Sequence, residues 1–173
     1  MKTLVIYYSK TGNTKAVAEA IAQELGADTE EIREAGRRHG YVRSAFDAIF
    51  KRMPDIRAMT HSLSDYDLVI VGTPVWGQGP VPAVQVFLSS ADLEGKAVAL
   101  FCTMGGVGDR RTFAKMEGLL TGSRIIARLS FDQQKVKSAE TVADRVKGWT
   151  RELLDRLPDQ RNRGTQASSD GAE

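Results

Sequence analysis

Near the amino terminus the chain reads Leu4-Val5-Ile6-Tyr7-Tyr8-Ser9-Lys10-Thr11-Gly12-Asn13-Thr14, an apolar run followed by a turn of hydroxyl residues and glycine. Val17, Ile21 and Leu25 then recur at helical spacing, so the turn joins a predicted strand to a predicted helix. The first N–H groups of a helix have no partner within it, and the helix dipole attracts an anion. The pattern therefore predicts a phosphate cradle made by Ser9, Lys10, Thr11, Gly12, Asn13 and Thr14. The alternative is a polar turn in which Thr14 caps the helix.

Length and composition limit the kinds of protein this chain can be. Its 173 residues are 42% hydrophobic, enough for one domain with a substantial core. A single cysteine, Cys102, and two histidines, His39 and His61, exclude an internal disulfide and argue against a metal site. Neither a signal peptide nor an apolar run of about 20 residues is present, so we expect a cytoplasmic protein without a membrane span. A formal net charge of +2 gives no reason to expect nucleic acid as a partner.

Apolar runs alternate along the chain with amphipathic helical patterns. This alternation predicts an α/β domain, with a parallel sheet covered by helices on both faces. Three runs read as strands buried on both faces, while a mostly charged run and an alternating run read as edge strands. That distribution fits a doubly wound, five-stranded sheet of order 2-1-3-4-5. In chain order, the five runs are residues 4–8, 28–32, 68–71, 98–102 and 125–131.

Two segments fall outside this alternation. Residues 42–53 place apolar side chains on one helical face, within a segment, 33–57, that has seven Arg or Lys against three acidic residues. The helix either covers the sheet with a solvated basic side or offers a docking face to an acidic partner. Residues 158–173 have almost no apolar side chains, so we expect a disordered tail after a domain of residues 1–157.

The loops after the third and fourth predicted strands are expected to complete a ligand site at the carboxyl edge of the sheet. Glycines there let the backbone approach a ligand, and Asp109 is the expected N-cap of the next helix. The ring of Trp76 either packs on the domain or forms the wall of a site for a planar ligand. The residues concerned are Thr73, Pro74, Val75, Trp76 and Gly77 after the third strand, and Thr103, Met104, Gly105, Gly106 and Gly108 after the fourth.

The three loops together resemble the flavodoxin family over about residues 2–156, without the insertion found in its long-chain members. The family's FMN-phosphate signature matches Ser9-x-Thr11-Gly12-x-Thr14, and its second flavin loop matches residues 72–77. The resemblance implies that the first loop holds the ribityl phosphate, while the other two sandwich the isoalloxazine with Trp76 on one face. It also implies that a peptide of the second loop reorients when flavin N5 gains a proton, and Gly77 is our candidate.

The resemblance predicts an FMN-binding protein that carries electrons between redox partners, with no catalytic acid or base of its own. The alternative is an FMN-dependent NAD(P)H:quinone-type oxidoreductase, with a small acceptor such as a quinone. A flavin-free interaction module is a third reading. The third loop has Met104 and glycines where many flavodoxins place an aromatic residue, and the weak net charge argues against a very low potential. Arg110 and Arg111 either bind an acidic partner or an anionic substrate, or are solvated. We expect a monomer or homodimer.

Overall fold

The fold is built around one sheet whose main strands are parallel. A computed structural model describes residues 1–35, 53–134, 136 and 138–157, and the spatial order of the path is β2-β1-β3-β5-β6. A two-residue strand, β4, lies off this path and pairs antiparallel with the end of β3. The strands are β1 Thr3–Tyr7, β2 Asp28–Glu31, β3 Leu68–Trp76, β4 Gly79–Pro80, β5 Ala97–Met104 and β6 Arg124–Asp132.

Helices cover both faces of this sheet. α1 and α4 bury Val17, Ile21, Trp149 and other apolar side chains in one core cluster, and α2 and α3 bury theirs in the other. None of the described helices is long and apolar enough to cross a membrane. The helices are α1 Asn13–Leu25, α2 Pro82–Ser90, α3 Asp109–Gly118 and α4 Ala139–Asp155, with a short 3₁₀ turn at Leu63–Asp65.

The predicted strand order is confirmed, because β1, β3 and β5 occupy the interior of the sheet and β2 and β6 its edges. An unbroken alternation along β6 would place Ile125 on the same face as Ala127 and Leu129. The pairing instead skips one residue, so Ile126 lies in the core cluster that contains Ala127 and Leu129. The irregularity turns Ile125 toward the opposite cluster, as a bulge does.

Just after β2, the chain pairs with a later, returning segment through a short antiparallel contact. Glu34 and Ile56 form a β-bridge, and Ala35 N–H donates to the Asp55 carbonyl at 2.7 Å. The helix predicted over residues 42–53 lies outside the described residues except for Met53, and so does the tail predicted over residues 158–173. Their predicted structures stay predictions.

Glu30 fastens this returning segment to the edge strand β2. Its side chain is almost fully buried, and its carboxylate accepts hydrogen bonds from Thr60 N–H, Thr60 Oγ1 at 2.8 Å and His61 N–H at 3.0 Å. His61 Nδ1 also lies 2.9 Å from Glu30 Oε2. Burial alone would raise the pKa of Glu30, but these hydrogen bonds together outweigh it and hold the pKa below 4.5.

A carboxyl with a lowered folded-state pKa contributes stability that is complete above its unfolded pKa and is lost as the pH falls through the folded value. Glu30→Gln should therefore lower the free energy of unfolding by about 1–3 kcal/mol at pH 7 and weaken its fall below pH 4.5. Urea denaturation at several pH values measures both effects. Glu24→Gln, an exposed change on α1, is the control. Equal stability and equal pH dependence of the two variants would refute the role of Glu30.

Candidate functional site

The first loop presents the amino end of a helix at the carboxyl edge of the sheet. Gly12, the N-cap of α1, has φ 88, a conformation that favours glycine, and it has no side chain with which to cap the helix. Nothing lies within 4 Å of the place where a Cβ of Gly12 would be, so the backbone is open to a ligand. The first N–H groups of α1 have no acceptor within the helix, which makes them donors for an anion.

Hydroxyl groups surround this helix end. Ser9 Oγ accepts a hydrogen bond from Lys15 N–H at 3.2 Å, and its own proton can still be donated to a ligand. Thr11 is exposed. Thr14 does not cap the helix, so that alternative is wrong for this turn. The predicted cradle, residues 9–14, is thus a contiguous loop with open backbone and available hydroxyl donors.

A buried pair of hydroxyls joins the first loop to the third. Thr14 Oγ1 lies 2.8 Å from Thr103 Oγ1, with Thr14 in the first turn of α1 and Thr103 near the end of β5. The two residues are 2% and 0% exposed, so neither hydroxyl could be satisfied by bulk water. One of them donates to the other, and the acceptor keeps a proton that it can donate elsewhere.

The second loop is a β-hairpin, which corrects the expectation that residues 73–76 lie in an irregular loop. β3 continues to Trp76, which pairs with Gly79 across a two-residue turn. Gly77 and Gln78 have φ 53 and φ 61, the positive values that a type I′ turn requires at both positions. Thr73 is fully buried, and its hydroxyl donates to the Pro74 carbonyl and accepts from Val81 N–H. Thr73 therefore braces the base of the hairpin.

The hairpin holds the Trp76 ring outside the core, where it is 43% exposed. The Tyr8 ring meets it edge to face, with centroids 6.0 Å apart, and Lys10 Nζ lies 5.4 Å from its centroid. Sequence reasoning did not assign Tyr8 to the site, although its position directly before Ser9 was a usable signal. Tyr8 OH donates to Glu34 at 3.3 Å, and burial together with that carboxylate raises the pKa of Tyr8. The ring of Trp76 thus has a fixed neighbour in Tyr8 and a partly open surface.

The third loop packs against the hairpin with little side-chain material. A Cβ at Gly108 would lie 3.0 Å from Val75 Cγ1, whereas the Cβ positions of Gly105 and Gly106 face open space. Gly108, at φ 114, is the N-cap of α3, so the expectation that Asp109 fills this position is wrong. Asp109 is instead the first residue of the helix. Met104 is half-buried at the end of β5.

The three loops meet because β1, β3 and β5 are parallel neighbours whose carboxyl ends lie at one edge of the sheet. The residues present fit a ligand that combines a phosphate with a flat ring. Backbone N–H groups and hydroxyls suit the phosphate, an exposed indole suits the ring, and glycines permit close approach of the third loop.

The sequence of this chain is similar to those of known flavodoxins. The family model described as "Flavodoxin" matches residues 2–152. A flavodoxin from Enterobacter agglomerans is 31% identical over 129 residues, which cover 66% of this chain and 59% of that protein. A flavodoxin from Maridesulfovibrio salexigens is 30% identical over 114 residues, covering 62% of this chain and 64% of that protein. The matched part therefore spans less than two thirds of the length of these relatives.

Solved structures of flavoproteins match this chain over nearly the whole of their own length. A flavoprotein from Lactobacillus acidophilus NCFM, crystallised in complex with FMN, is 25% identical with a TM-score of 0.62, covering 79% of this chain and 96% of that one. Oxidised flavodoxin 2 from Bacillus cereus has a TM-score of 0.62 at 21% identity, covering 91% of this chain and 100% of that one, and supports the fold alone.

The hydroxyl pair between the first and third loops makes a direct prediction about stability. Thr103→Val leaves the Thr14 hydroxyl buried without its partner and should cost about 1–3 kcal/mol of unfolding free energy. Adding Thr14→Val should restore part of that loss, because no polar atom is then left unpaired. Urea denaturation of both single variants and the double variant measures the coupling. Thr121→Val, at an exposed position, is the control, and strictly additive costs would contradict the pairing.

Proposed function

The chain belongs to the flavodoxin family, and we propose that it binds FMN and carries electrons between redox partners in the cytoplasm. The observation that supports the proposal is the N-terminus of α1, open at Gly12, beside the partly exposed ring of Trp76. The helix end gives a place for a phosphate, and the indole gives a surface for a flat ring. Both lie at the point where the strand order of the sheet reverses. Residues of this chain supply both the helix end and the ring surface.

The phosphate end of the ligand would be held by residues 9–14. The helix dipole contributes about 0.3–1 kcal/mol, so most of the affinity comes from charge-assisted hydrogen bonds of about 1.5–3 kcal/mol each. Ser9 and Thr11 offer hydroxyl protons, and the open backbone at Gly12 and Asn13 offers N–H groups. The buried Thr14 and Thr103 pair fixes the first turn of α1 against the third loop behind this cradle.

The ring end would lie against Trp76 and the third loop. Offset stacking on an indole contributes about 0.5–1.5 kcal/mol beyond the area that it buries. Tyr8 holds the Trp76 ring from the side, which limits the rotational freedom that binding would otherwise remove. Gly105 and Gly106 let their backbone approach the ring, and Gly77 keeps the conformational freedom expected of a peptide that reorients. FMN itself supplies the electron chemistry when bound.

A second function, an NAD(P)H:quinone-type oxidoreductase, is favoured by one observation. Gly105 and Gly106 have open space where a Cβ would lie, so the third loop leaves room beside the site for a second flat molecule. Steady-state oxidation of NADPH with a quinone separates the two functions. A carrier gives turnover only when a reductase protein is added, whereas an oxidoreductase turns over by itself. Turnover without a second protein would contradict the carrier.

The role of Trp76 gives the most direct test of FMN binding. Trp76→Ala should weaken the binding of oxidised FMN about tenfold, since it removes the stacking surface, and a factor of ten corresponds to about 1.4 kcal/mol. Thr11→Ala should weaken binding through the phosphate alone. Titration of the apoprotein with FMN, followed by flavin absorbance, measures each dissociation constant.

Trp149→Phe is the matched control, because Trp149 is 6% exposed and donates its indole N–H to the Arg128 carbonyl, away from the site. This variant should keep its FMN affinity and leave Trp76 as the single tryptophan, whose fluorescence FMN then quenches. Unchanged FMN affinity in Trp76→Ala and Thr11→Ala would contradict the assigned site.

A further inference from the structure

Three cations surround the β3–β4 hairpin, each against a different residue of it. Lys10 Nζ lies 5.4 Å from the Trp76 ring centroid, and Arg111 Nη1 donates to Gln78 Oε1. Lys115 lies against Gly79, since its Nζ would be 3.0 Å from a Cβ built there. The first loop supplies one cation and α3 supplies two. We call Lys10, Arg111 and Lys115 the cationic collar.

The three collar residues form no ion pair with a described residue. The ion pairs found among the described residues are those of Lys15, Arg33, His61 and Arg128, and none involves the collar. The hairpin, residues 76–80, contains no acidic side chain. Asp109, in the first turn of α3, is the acidic residue nearest to Arg111 in sequence, and Arg110 beside it is a further exposed cation. The hairpin is therefore bordered by three cations that form no ion pair among the described residues.

The hairpin and the third loop each carry one exposed apolar side chain at the collar. Trp76 is 43% exposed and Val107 is 80% exposed, and Gly108 brings the third loop against Val75 and Gln78. Two clefts among the described residues lie away from the hairpin. One, of about 370 Å³, is at the amino edge of the sheet beside Tyr66 and Lys96. The other, of about 180 Å³, lies beyond the end of α2 beside Leu93.

We infer that the cationic collar docks the acidic face of a partner protein, with Trp76 and Val107 at the centre of the contact. An exposed aromatic and an arginine within a charged rim are features of protein interfaces. That the partner is a redox protein rests on the proposed function. The docking itself requires only the collar and its apolar centre.

Charges at the rim of an interface act mainly on the encounter rate and on its salt dependence. A probe pair tests this: the soluble domain of cytochrome b5, an acidic haem protein, and cytochrome c, a basic one. Isothermal titration calorimetry of each with the full chain, at about 20 mM and about 300 mM NaCl, gives the dissociation constants on either side of strong screening. The acidic probe should bind at least tenfold more weakly at the higher salt, and the basic probe should bind more weakly than the acidic one at low salt.

The variant that tests the collar is Arg111→Gln with Lys115→Gln, which leaves the cradle untouched. It should weaken the binding of the acidic probe at least fivefold at low salt and have little effect at high salt. The matched control is Lys147→Gln with Arg151→Gln. These two residues are also exposed, four apart on a helix and carry the same charge, but α4 packs on the opposite face of the sheet. Lys115→Glu should weaken the binding of the acidic probe more than Lys115→Gln does.

Three results would overturn the inference. The two probes could bind with equal affinity, or the collar variant could match the control variant. Citrate could also displace the acidic probe where NaCl of equal ionic strength does not, which would make the collar a small-anion site. These titrations use the chain with or without FMN. Failure of FMN to bind would therefore refute the proposed function, whereas failure of these titrations would refute the collar.

Discussion

The parallel pairing of β1 with β3 is the constraint on which the site depends. The register sets Tyr7 opposite Gly72, so two segments more than 60 residues apart in sequence end at the same edge of the sheet. From that edge the chain leaves β1 for α1 on one face and β3 for α2 on the other, which opens a crevice between the two loops. Packing also fixes β3 closely against β5, because a Cβ on Gly72 would lie 2.0 Å from the Phe101 ring of β5. The amino end of α1 and the exposed indole of Trp76 then lie at the same edge of the sheet.

Much of this arrangement could be predicted from the sequence, because it follows from the burial of whole strands. Strands covered on both faces must be continuously apolar, so the interior places of β1, β3 and β5 could be inferred from composition alone. The cradle could be predicted for a similar reason, since short hydroxyl residues and glycine serve few purposes between a strand and a helix. Asp109 was expected as a cap from its residue type, but the positive φ of Gly108 ends the loop one residue earlier.

Features set by contacts distant in sequence could not be predicted. The hairpin turn needs positive φ at Gly77 and Gln78, and glutamine gives no signal for that conformation. The pairing of the Thr14 and Thr103 hydroxyls joins residues 89 apart, and neither residue alone indicates the other. The shift at Ile126 arises from the register of β6 against β5, which an alternating apolar pattern does not fix. The place of Tyr8 beside Trp76 likewise depends on the two strands being neighbours.

The hairpin links ligand binding to partner recognition, since Trp76 belongs both to the proposed site and to the centre of the collar. The central claim is that one site holds both a phosphate and a flat ring. Amide-resolved NMR of the ¹⁵N-labelled chain, titrated with FMN and then with riboflavin, tests it most directly. FMN should shift the amides of residues 11–14 and the indole N–H of Trp76, while riboflavin, which lacks the phosphate, should shift the indole and leave the cradle amides nearly unchanged. Equal shifts of the cradle with both ligands, or shifts confined to the opposite edge of the sheet, would contradict the account.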